Sequence, residues 1–282
     1  MNRSIDHITE FRFVGMSRSG NHAVINWIIN QLPGRYCFLN CAEPKHNPFA
    51  TARPLSEGGK TYKTNIRSFD LKDEQQGKFS EKDYLLYSYE DSFLGSLNHP
   101  SFKKNRDRWV GRAAVLKTLL ILRDPFNLFA SRIKSNLLLG HYTYGTKPIS
   151  LLALKRIYKQ HAREFLGEKK NLKNRVPVNF NSWATNKTYR RSIMEQLDVP
   201  FSDKGFQKVS KVAGGSSFDG LELSEKANEM QLQSRWKEFA ADERFWKLFD
   251  AELADVTRKI FGDIPPLRFY IKHKKQDKKQ VR

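Results

Sequence analysis

The sequence is poor in three features that separate the main classes of protein. It contains only two cysteines among 282 residues, which excludes the disulfide framework of a small secreted domain. No run of about 18 apolar residues is present, so no membrane-spanning helix is expected. Residues 1–7 lack the apolar core of a signal peptide. These absences together predict a cytoplasmic protein without a membrane span.

Acidic residues are also scarce, because 30 Asp and Glu stand against 50 Lys and Arg and give a net charge of +20. Most of the excess falls in residues 101–190, where 20 basic side chains face four acidic ones. Such a field attracts anionic ligands or nucleic acid. The chain has no zinc-finger spacing, no aromatic RNA-binding motif and no internal repeat, so nucleic acid is not the expected partner. Cys37 and Cys41 have no second pair beside them, so no metal site is expected.

Short apolar runs alternate along the chain with segments whose apolar residues recur at helical spacing. Hydrophobic residues make up 39% of it, enough for a globular core. The runs predict strands at 11–14, 35–40, 83–90, 115–122 and 175–180. Apolar residues at helical spacing predict helices at 23–32, 126–137, 150–166, 185–197, 224–240 and 242–261. The alternation predicts a three-layer α/β/α fold with a mostly parallel central sheet, as one domain over 1–267 and a basic tail over 268–282.

Three stretches follow neither pattern. Residues 41–79 are polar and rich in Pro and Gly, and we interpret them as a substrate loop or lid. Residues 95–112 are basic and are expected to be irregular. The last 12 residues or so are basic and are expected to fray.

A polar loop separates the first predicted strand from the first predicted helix. Its Gly15-x4-Gly20 skeleton is that of a nucleotide P-loop. A strand, tight loop and helix in this order point backbone N–H groups at an anion. The residues after Gly20 are Asn21 and His22, instead of the Lys and Ser or Thr that bind phosphate and Mg²⁺. We therefore interpret the loop as a site for an anion that is handled without a metal, with Arg18 as its cation.

Two further charged residues end predicted strands. Glu90 ends the third strand, and Arg123 follows the most apolar one. Asp124 and Pro125 come next and are typical of a helix start. Because ligands in parallel α/β sheets bind at the carboxyl ends of the strands, the loop, Glu90 and Arg123 are expected to converge.

Two motifs resemble those of sulfotransferases that use 3′-phosphoadenosine-5′-phosphosulfate (PAPS). Residues 15–22, with the sequence GMSRSGNH, are similar to the 5′-phosphosulfate loop of that family. Residues 122–125, LRDP, with Ser131 eight positions after Arg123, resemble its 3′-phosphate motif. The two motifs fall in the family's order at about its separation, and the region from Arg235 to Gly262 is similar to its closing helices.

The resemblance implies a P-loop-like sulfotransferase fold and metal-independent, in-line transfer of a sulfuryl group from PAPS to a hydroxyl or amine. It implies that the 5′-phosphosulfate is bound by the loop residues Ser17, Arg18, Ser19, Gly20, Asn21 and His22. Arg123 and Ser131 would hold the 3′-phosphate, and Arg18 would stabilise charge on the leaving phosphate. A later loop with Ser216, Ser217 and Phe218 would close over the nucleotide, although the family's Arg-Lys-Gly element is absent there.

The family also places a His or Glu base near the end of the third strand. Glu90 stands at that position, and His22 and His99 are alternatives. Glu90 can equally be a solvated or ion-paired strand-end acid. Asn181 and Trp183 are weaker candidates for adenine contacts, with Trp183 more typical of a core residue. The basic surface and the Trp and Tyr content favour a small-molecule or glycan acceptor that is polar, including an anionic one, over a flat phenol.

Two other functions fit parts of the sequence. A divergent P-loop kinase would use ATP and Mg²⁺, with Asp91 or Asp124 as the metal ligand. A basic nucleic-acid-binding protein would account for the net charge but for none of the motifs.

Overall fold

The computed structural model describes residues 5–55, 59–137 and 150–280. Its centre is one six-stranded sheet with the order β3-β2-β4-β1-β5-β6. All neighbouring strands are parallel except β2 and β3, which are antiparallel. The strands are β1 (His7–Gly15), β2 (Tyr36–Leu39), β3 (Tyr62–Thr64), β4 (Lys82–Glu90), β5 (Ala113–Leu122) and β6 (Arg175–Asn179).

Helices cover both faces of this sheet, which confirms the predicted α/β fold with a mostly parallel central sheet. They are α1 (Asn21–Ile29), α2 (Pro48–Thr51), α3 (Leu71–Gln75), α4 (Leu94–Leu97), α5 (Pro100–Val110), α6 (Pro125–Lys134), α7 (Leu151–Phe165), α8 (Phe180–Thr185), α9 (Lys187–Gln196), α10 (Glu243–Trp246), α11 (Ala251–Phe261) and α12 (Pro265–Gln280). Short 3₁₀ segments lie at Val212–Gly214, Ala227–Glu229 and Arg235–Phe239.

Successive side chains of the central strand β1 point to opposite faces, as the two-residue period of a strand requires. Phe11 and Phe13 pack with Trp27 of α1 and Met194 of α9 on one face. Val14 packs on the other face, in a cluster that includes residues of α4 and α5. A third cluster joins α6, α7, α11 and α12. Because β1 is buried on both faces, the loop that follows it is anchored in the middle of the fold.

The register of the sheet brings the predicted site residues to one edge. Gly15 at the end of β1 is paired with Glu90 at the end of β4. On the other side of β1, Val14 is paired with Leu120 of β5, three residues before Arg123. The loop after β1 therefore lies between Glu90 and Arg123, as the sequence predicts.

Regular structure is present in the stretches whose sequence shows neither strand nor helix periodicity. Residues 41–79 hold α2, α3 and the antiparallel edge strand β3. The 95–112 stretch, expected to be irregular, forms the end of α4 and all of α5. His99 accepts a hydrogen bond from the Ser101 N–H at the start of α5, and Phe102 and Val110 are buried beneath it. A cap and two core contacts thus outweigh the charged composition.

The helix predicted over 224–240 is wrong, since this stretch contains only the two 3₁₀ segments. Arg235 and Trp236 are held instead by tertiary contacts, including a hydrogen bond from the Trp236 N–H to Asn127 Oδ1 at 3.3 Å. The frayed end expected for the last 12 residues is helical as far as residue 280. Leu267 and Tyr270 of this helix are buried, so the predicted domain boundary at 267 falls inside α12.

In the ranges that the structure covers, no helix is both long and apolar enough to span a membrane.

Candidate functional site

The loop after β1 turns through a strained backbone before α1 begins. The Ser19 N–H donates to the Met16 carbonyl at 3.0 Å, Arg18 has a φ of 72°, and Gly20 has a φ of 87°. A Cβ atom on Gly20 would lie 2.1 Å from the Phe180 ring, so only glycine fits there. No side chain of the described residues caps the N-terminus of α1. The first turn of that helix is thus an anion-binding end.

A buried ion pair holds the backbone of this loop from below. Asp91 accepts the Ser17 N–H at 3.1 Å, while Arg132 donates to the Ser17 carbonyl at 3.0 Å. The Arg132 guanidinium also contacts both oxygens of Asp91, at 2.9 and 3.0 Å. We call Asp91 and Arg132 the loop clamp. Neither residue was among those predicted to bind PAPS, although Asp91 was a candidate Mg²⁺ ligand of the kinase alternative and each directly follows a predicted site residue in the sequence.

Glu90 lies against the loop, half-buried, and is held by neutral donors. Its Oε2 atom accepts from Ser17 Oγ at 2.7 Å, and its Oε1 atom accepts from Asn21 Nδ2 at 2.8 Å. The sequence suggested a solvated or ion-paired acid as the alternative to a base. The observed carboxylate is instead oriented by two hydrogen bonds at the mouth of the loop.

His22 stands on the first turn of α1, half-buried, and lines the same cavity as Glu90. Burial lowers the pKa of His22, Glu90 opposes this by raising it, and Arg18 lowers it further. The imidazole is therefore neutral at pH 7. His99, the other candidate base, caps α5 and lies outside the cavity wall formed by the described residues.

Two buried guanidinium groups meet at one hydroxyl beside the loop. Arg123 donates to Ser131 Oγ at 3.0 Å, and Arg235 donates to the same atom at 3.2 Å. Arg123 also donates to the Arg18 carbonyl at 3.3 Å and to the Leu232 carbonyl. We call Arg123, Ser131 and Arg235 the arginine pair site. It joins the two predicted motif residues to a cation that sequence reasoning did not select.

The arginine pair site carries more positive charge than its surroundings offset. Burial, followed by the charges of Arg235 and Arg18, lowers the pKa of Arg123 to about 9 against the opposing charge of Asp124. Burial and the charge of Arg18 together lower the pKa of Arg235 to about 10, against the opposing effect of Asp219. Two like charges held together at low exposure are costly in the free protein. An anion bound between them would relieve that cost.

A cavity of about 810 Å³ opens at the carboxyl ends of the strands and joins these features. It lies near the upper end of the range of about 300–1,000 Å³ usual for ligand sites. Among the described residues that line it, Glu90 is the only carboxylate. The lining cations are Arg18, Arg53, Arg123, Lys208, Lys211 and Arg235. The cavity is therefore suited to a ligand with several negative charges.

Most of the predicted binding residues line this cavity. They are Ser17, Arg18, Gly20, Asn21, His22, Arg123 and Ser216, together with Glu90 and Trp183. Trp183 is also a core residue, packed between Phe180 and Phe206.

Five predicted contacts are placed elsewhere. Ser131 is fully buried and does not line the cavity, and its Oγ accepts from Arg123 and Arg235. Ser19 is fully buried beneath the loop, so its side chain does not reach the cavity. Asn181 donates to Asp124 at 2.8 Å. A turn at Ser216 is closed by a bridge to Gly220. Phe218 in this turn packs against Arg235, whose Cζ lies 4.9 Å from the centre of the Phe218 ring, and it does not line the cavity. Ser217 lies 3.5 Å from the Arg235 guanidinium, behind the same wall.

Replacing Arg132 with methionine is expected to lower the free energy of unfolding by about 3–5 kcal/mol, because it leaves Asp91 buried without its partner. Urea denaturation measures this loss. Lys134→Gln is the control, because Lys134 lies on the same helix as Arg132 but forms an exposed ion pair, with Glu238. Its loss should cost less than about 1 kcal/mol. Equal losses in the two variants would contradict a structural role for the loop clamp.

Sequence comparisons and a structure comparison with known proteins gave different results. No protein-family profile matches it, and no curated protein does. Among solved structures, mouse sulfotransferase SULT7A1 complexed with PAP (adenosine 3′,5′-bisphosphate) aligns with this chain. The alignment covers 96% of this chain and 90% of the mouse chain. The two are 10% identical, with a TM-score of 0.38. A likeness this weak transfers no activity, and the residues of the cavity carry the functional argument.

Proposed function

We propose that this protein is a PAPS-dependent sulfotransferase. The observation that carries the proposal is the pairing of two anion sites in one cavity, namely the loop at the start of α1 and the arginine pair site beside it. PAPS has a phosphosulfate at its 5′ end and a phosphate at its 3′ position. A ligand with two separate anionic ends matches two separate cationic sites.

The residues on the cavity wall suit the two ends of PAPS differently. Arg123 and Arg235 present planar guanidinium donors on either side of Ser131, the arrangement that grips a phosphate through several charge-assisted hydrogen bonds. The loop offers Arg18, Asn21 and the positive end of α1 for the 5′-phosphosulfate. Ser216, which accepts from Arg235 at 2.8 Å, would stand at the edge of the 3′-phosphate.

The transfer step requires a general base and a cation from this chain. Glu90 accepts the proton of the acceptor hydroxyl as its oxygen forms a bond to sulfur. The bond between sulfur and the 5′-phosphate oxygen breaks, and Arg18 offsets the charge that the departing phosphate gains. The products are a sulfate ester and adenosine 3′,5′-bisphosphate (PAP). Ser17 and Asn21 hold the Glu90 carboxylate in place for this role.

A P-loop kinase is the less favoured candidate. Its two candidate Mg²⁺ ligands are both committed to structural contacts. Asp91 binds Arg132 in the loop clamp. Asp124 caps α6 and accepts hydrogen bonds from Asn127 and Asn181. A metal would have to displace these partners, whereas sulfuryl transfer needs none of them to move.

PAP is expected to raise the melting temperature of the protein by about 5–10 °C at 100 times its dissociation constant, since ligand binding at that ratio adds about 2.7 kcal/mol of stability. Differential scanning fluorimetry measures the shift. Adenosine 5′-monophosphate is the matched control, because it lacks the 3′-phosphate that the arginine pair site would bind.

Three outcomes separate the candidate functions. A shift with PAP and none with the monophosphate supports the proposal. A larger shift with ATP and Mg²⁺ than with PAP would favour a kinase. Tight RNA binding at physiological salt without a PAP shift would favour a nucleic-acid-binding protein.

A further inference from the structure

Three further cations line the cavity and are not among the residues assigned to PAPS. They are Arg53, Lys208 and Lys211. Arg18, Arg123 and Arg235 already account for the 5′ and 3′ ends of the donor. The remaining three need a separate physical explanation, because six cations against one carboxylate exceed what a single nucleotide requires.

The order of the strands separates Arg53 from the donor sites. The arginine pair site follows β5, the loop follows β1, and Glu90 ends β4. The next strand in the sheet is β2, and the Arg53 segment lies over its end. Moving across the sheet edge, the cavity therefore has donor contacts first, the proposed base in the middle, and Arg53 beyond it.

Arg53 is fixed in this position by the end of β2. Its N–H donates to the Asn40 carbonyl at 2.7 Å, and Asn40 Nδ2 donates back to the carbonyls of Arg53 and Pro54 at 3.3 and 3.2 Å. Asn40 is itself buried and lines the cavity. Next to it, Cys41 has a pKa that burial raises, that Glu90 raises further and that Arg53 opposes. Arg53 and Glu90 thus act on the same thiol with opposite charge.

Lys208 extends the positive charge to the neighbouring edge strand. Burial lowers the pKa of Lys63 on β3, and the charge of Lys208 lowers it further. These two ammonium groups are close enough to repel, although they come from segments 145 positions apart in the sequence (208 − 63 = 145). Lys208 also lines the cavity, so an anion bound there would offset part of this repulsion.

We propose that the sulfuryl acceptor is itself an anion, a hydroxyl compound that carries a carboxylate or sulfate group. Its hydroxyl lies at Glu90, and its anionic group binds Arg53 and Lys208 on the β2–β3 side of the cavity. The inference rests on the proposed function, because it assigns to the acceptor the part of the cavity that PAPS does not use. It narrows the acceptor from polar compounds in general to charged ones.

Matched acceptor pairs test this inference. Methyl glucuronide is compared with methyl xyloside, and p-hydroxyphenylacetate with p-cresol, by PAP release from PAPS. Each pair shares a skeleton and differs in a carboxylate. The charged member of a pair is expected to have a kcat/KM at least about tenfold higher, the effect of one charge-assisted contact. The advantage should shrink as ionic strength rises, because the cations are partly exposed.

Arg53→Gln and Lys208→Gln should each remove most of this preference and leave PAP affinity within about twofold, a change too small to reflect a lost contact. Lys204→Gln is the control, since it removes the same charge from an exposed residue outside the cavity wall. Absence of a charge preference in both pairs would overturn the inference. So would a loss of PAP affinity in these variants, which would assign the cations to the donor. Failure of the wild-type protein to bind PAP would instead overturn the proposed function.

Discussion

Replacing Glu90 with glutamine is expected to lower the rate of sulfuryl transfer by about 10²–10⁴-fold, the usual contribution of a general base. The amide is nearly isosteric with the carboxylate but cannot take a proton from the acceptor. It can still contact Ser17 and Asn21, the two donors that orient the side chain in the wild-type protein. The loss should therefore appear in kcat.

The same substitution should not weaken donor binding. Glu90 is the only carboxylate among the described residues lining a cavity for polyanions, and its removal lessens repulsion of the 5′-phosphosulfate. PAP affinity, measured by calorimetry, is expected to stay equal or rise although kcat falls. Glu43→Gln serves as the control, because Glu43 is exposed and lies outside the cavity wall. Parallel losses of PAP affinity and turnover would mean that Glu90 only holds the loop in shape.

Replacing Arg123 with glutamine is expected to weaken PAP binding by about 100-fold, since it removes charge-assisted hydrogen bonds worth roughly 1.5–3 kcal/mol. Arg235 alone would remain at Ser131 to meet the 3′-phosphate. The effect on stability should be smaller than the effect on affinity. The variant loses three hydrogen bonds but also removes a buried charge that Arg235 and Arg18 repel.

A reciprocal control separates this prediction from general damage to the fold. Arg106 of α5 pairs with the buried Glu10 of β1, and it lies outside the cavity wall. Arg106→Gln should lower the free energy of unfolding, because Glu10 loses its partner, and leave PAP affinity unchanged. Isothermal titration calorimetry and urea denaturation on both variants give the comparison. An Arg123→Gln protein that binds PAP within about threefold of wild type would contradict the site as drawn, since a charged contact is worth more than that.

Parts of the fold that depend on local signals were predictable from the sequence. The apolar run before Arg123 forms β5, and Asp124 with Pro125 starts α6, where Asp124 accepts the Asn127 N–H at 2.9 Å. Pro177 cannot donate a hydrogen bond to a neighbouring strand, which favours the edge of a sheet, and β6, which contains it, lies at the edge. Caps, Pro positions and apolar period act over a few residues, so a single sequence reveals them.

The errors arose where distant contacts decide the local structure. The stretch 224–240 has helical spacing of apolar residues, but Trp236 and Arg235 are drawn to Asn127 and Ser131 on α6. The edge strand β3 has only three residues and exists because β2 pairs with it. Propensity is a weak signal, and tertiary contacts override it at such positions.

The sequence by itself determined the two anion motifs, their order and their place at strand ends, because strand, loop and helix signals are local and parallel strands share an edge. Only the tertiary structure decided which other residues complete the site. Arg235 reaches Ser131 from 104 positions away, and Asp91 with Arg132 clamps Ser17 from two separate elements. Arg53 and Lys208 likewise meet one cavity from different loops. The partner of a buried charge is set by how distant elements pack against each other, and the spacing of residues along the chain does not reveal that packing.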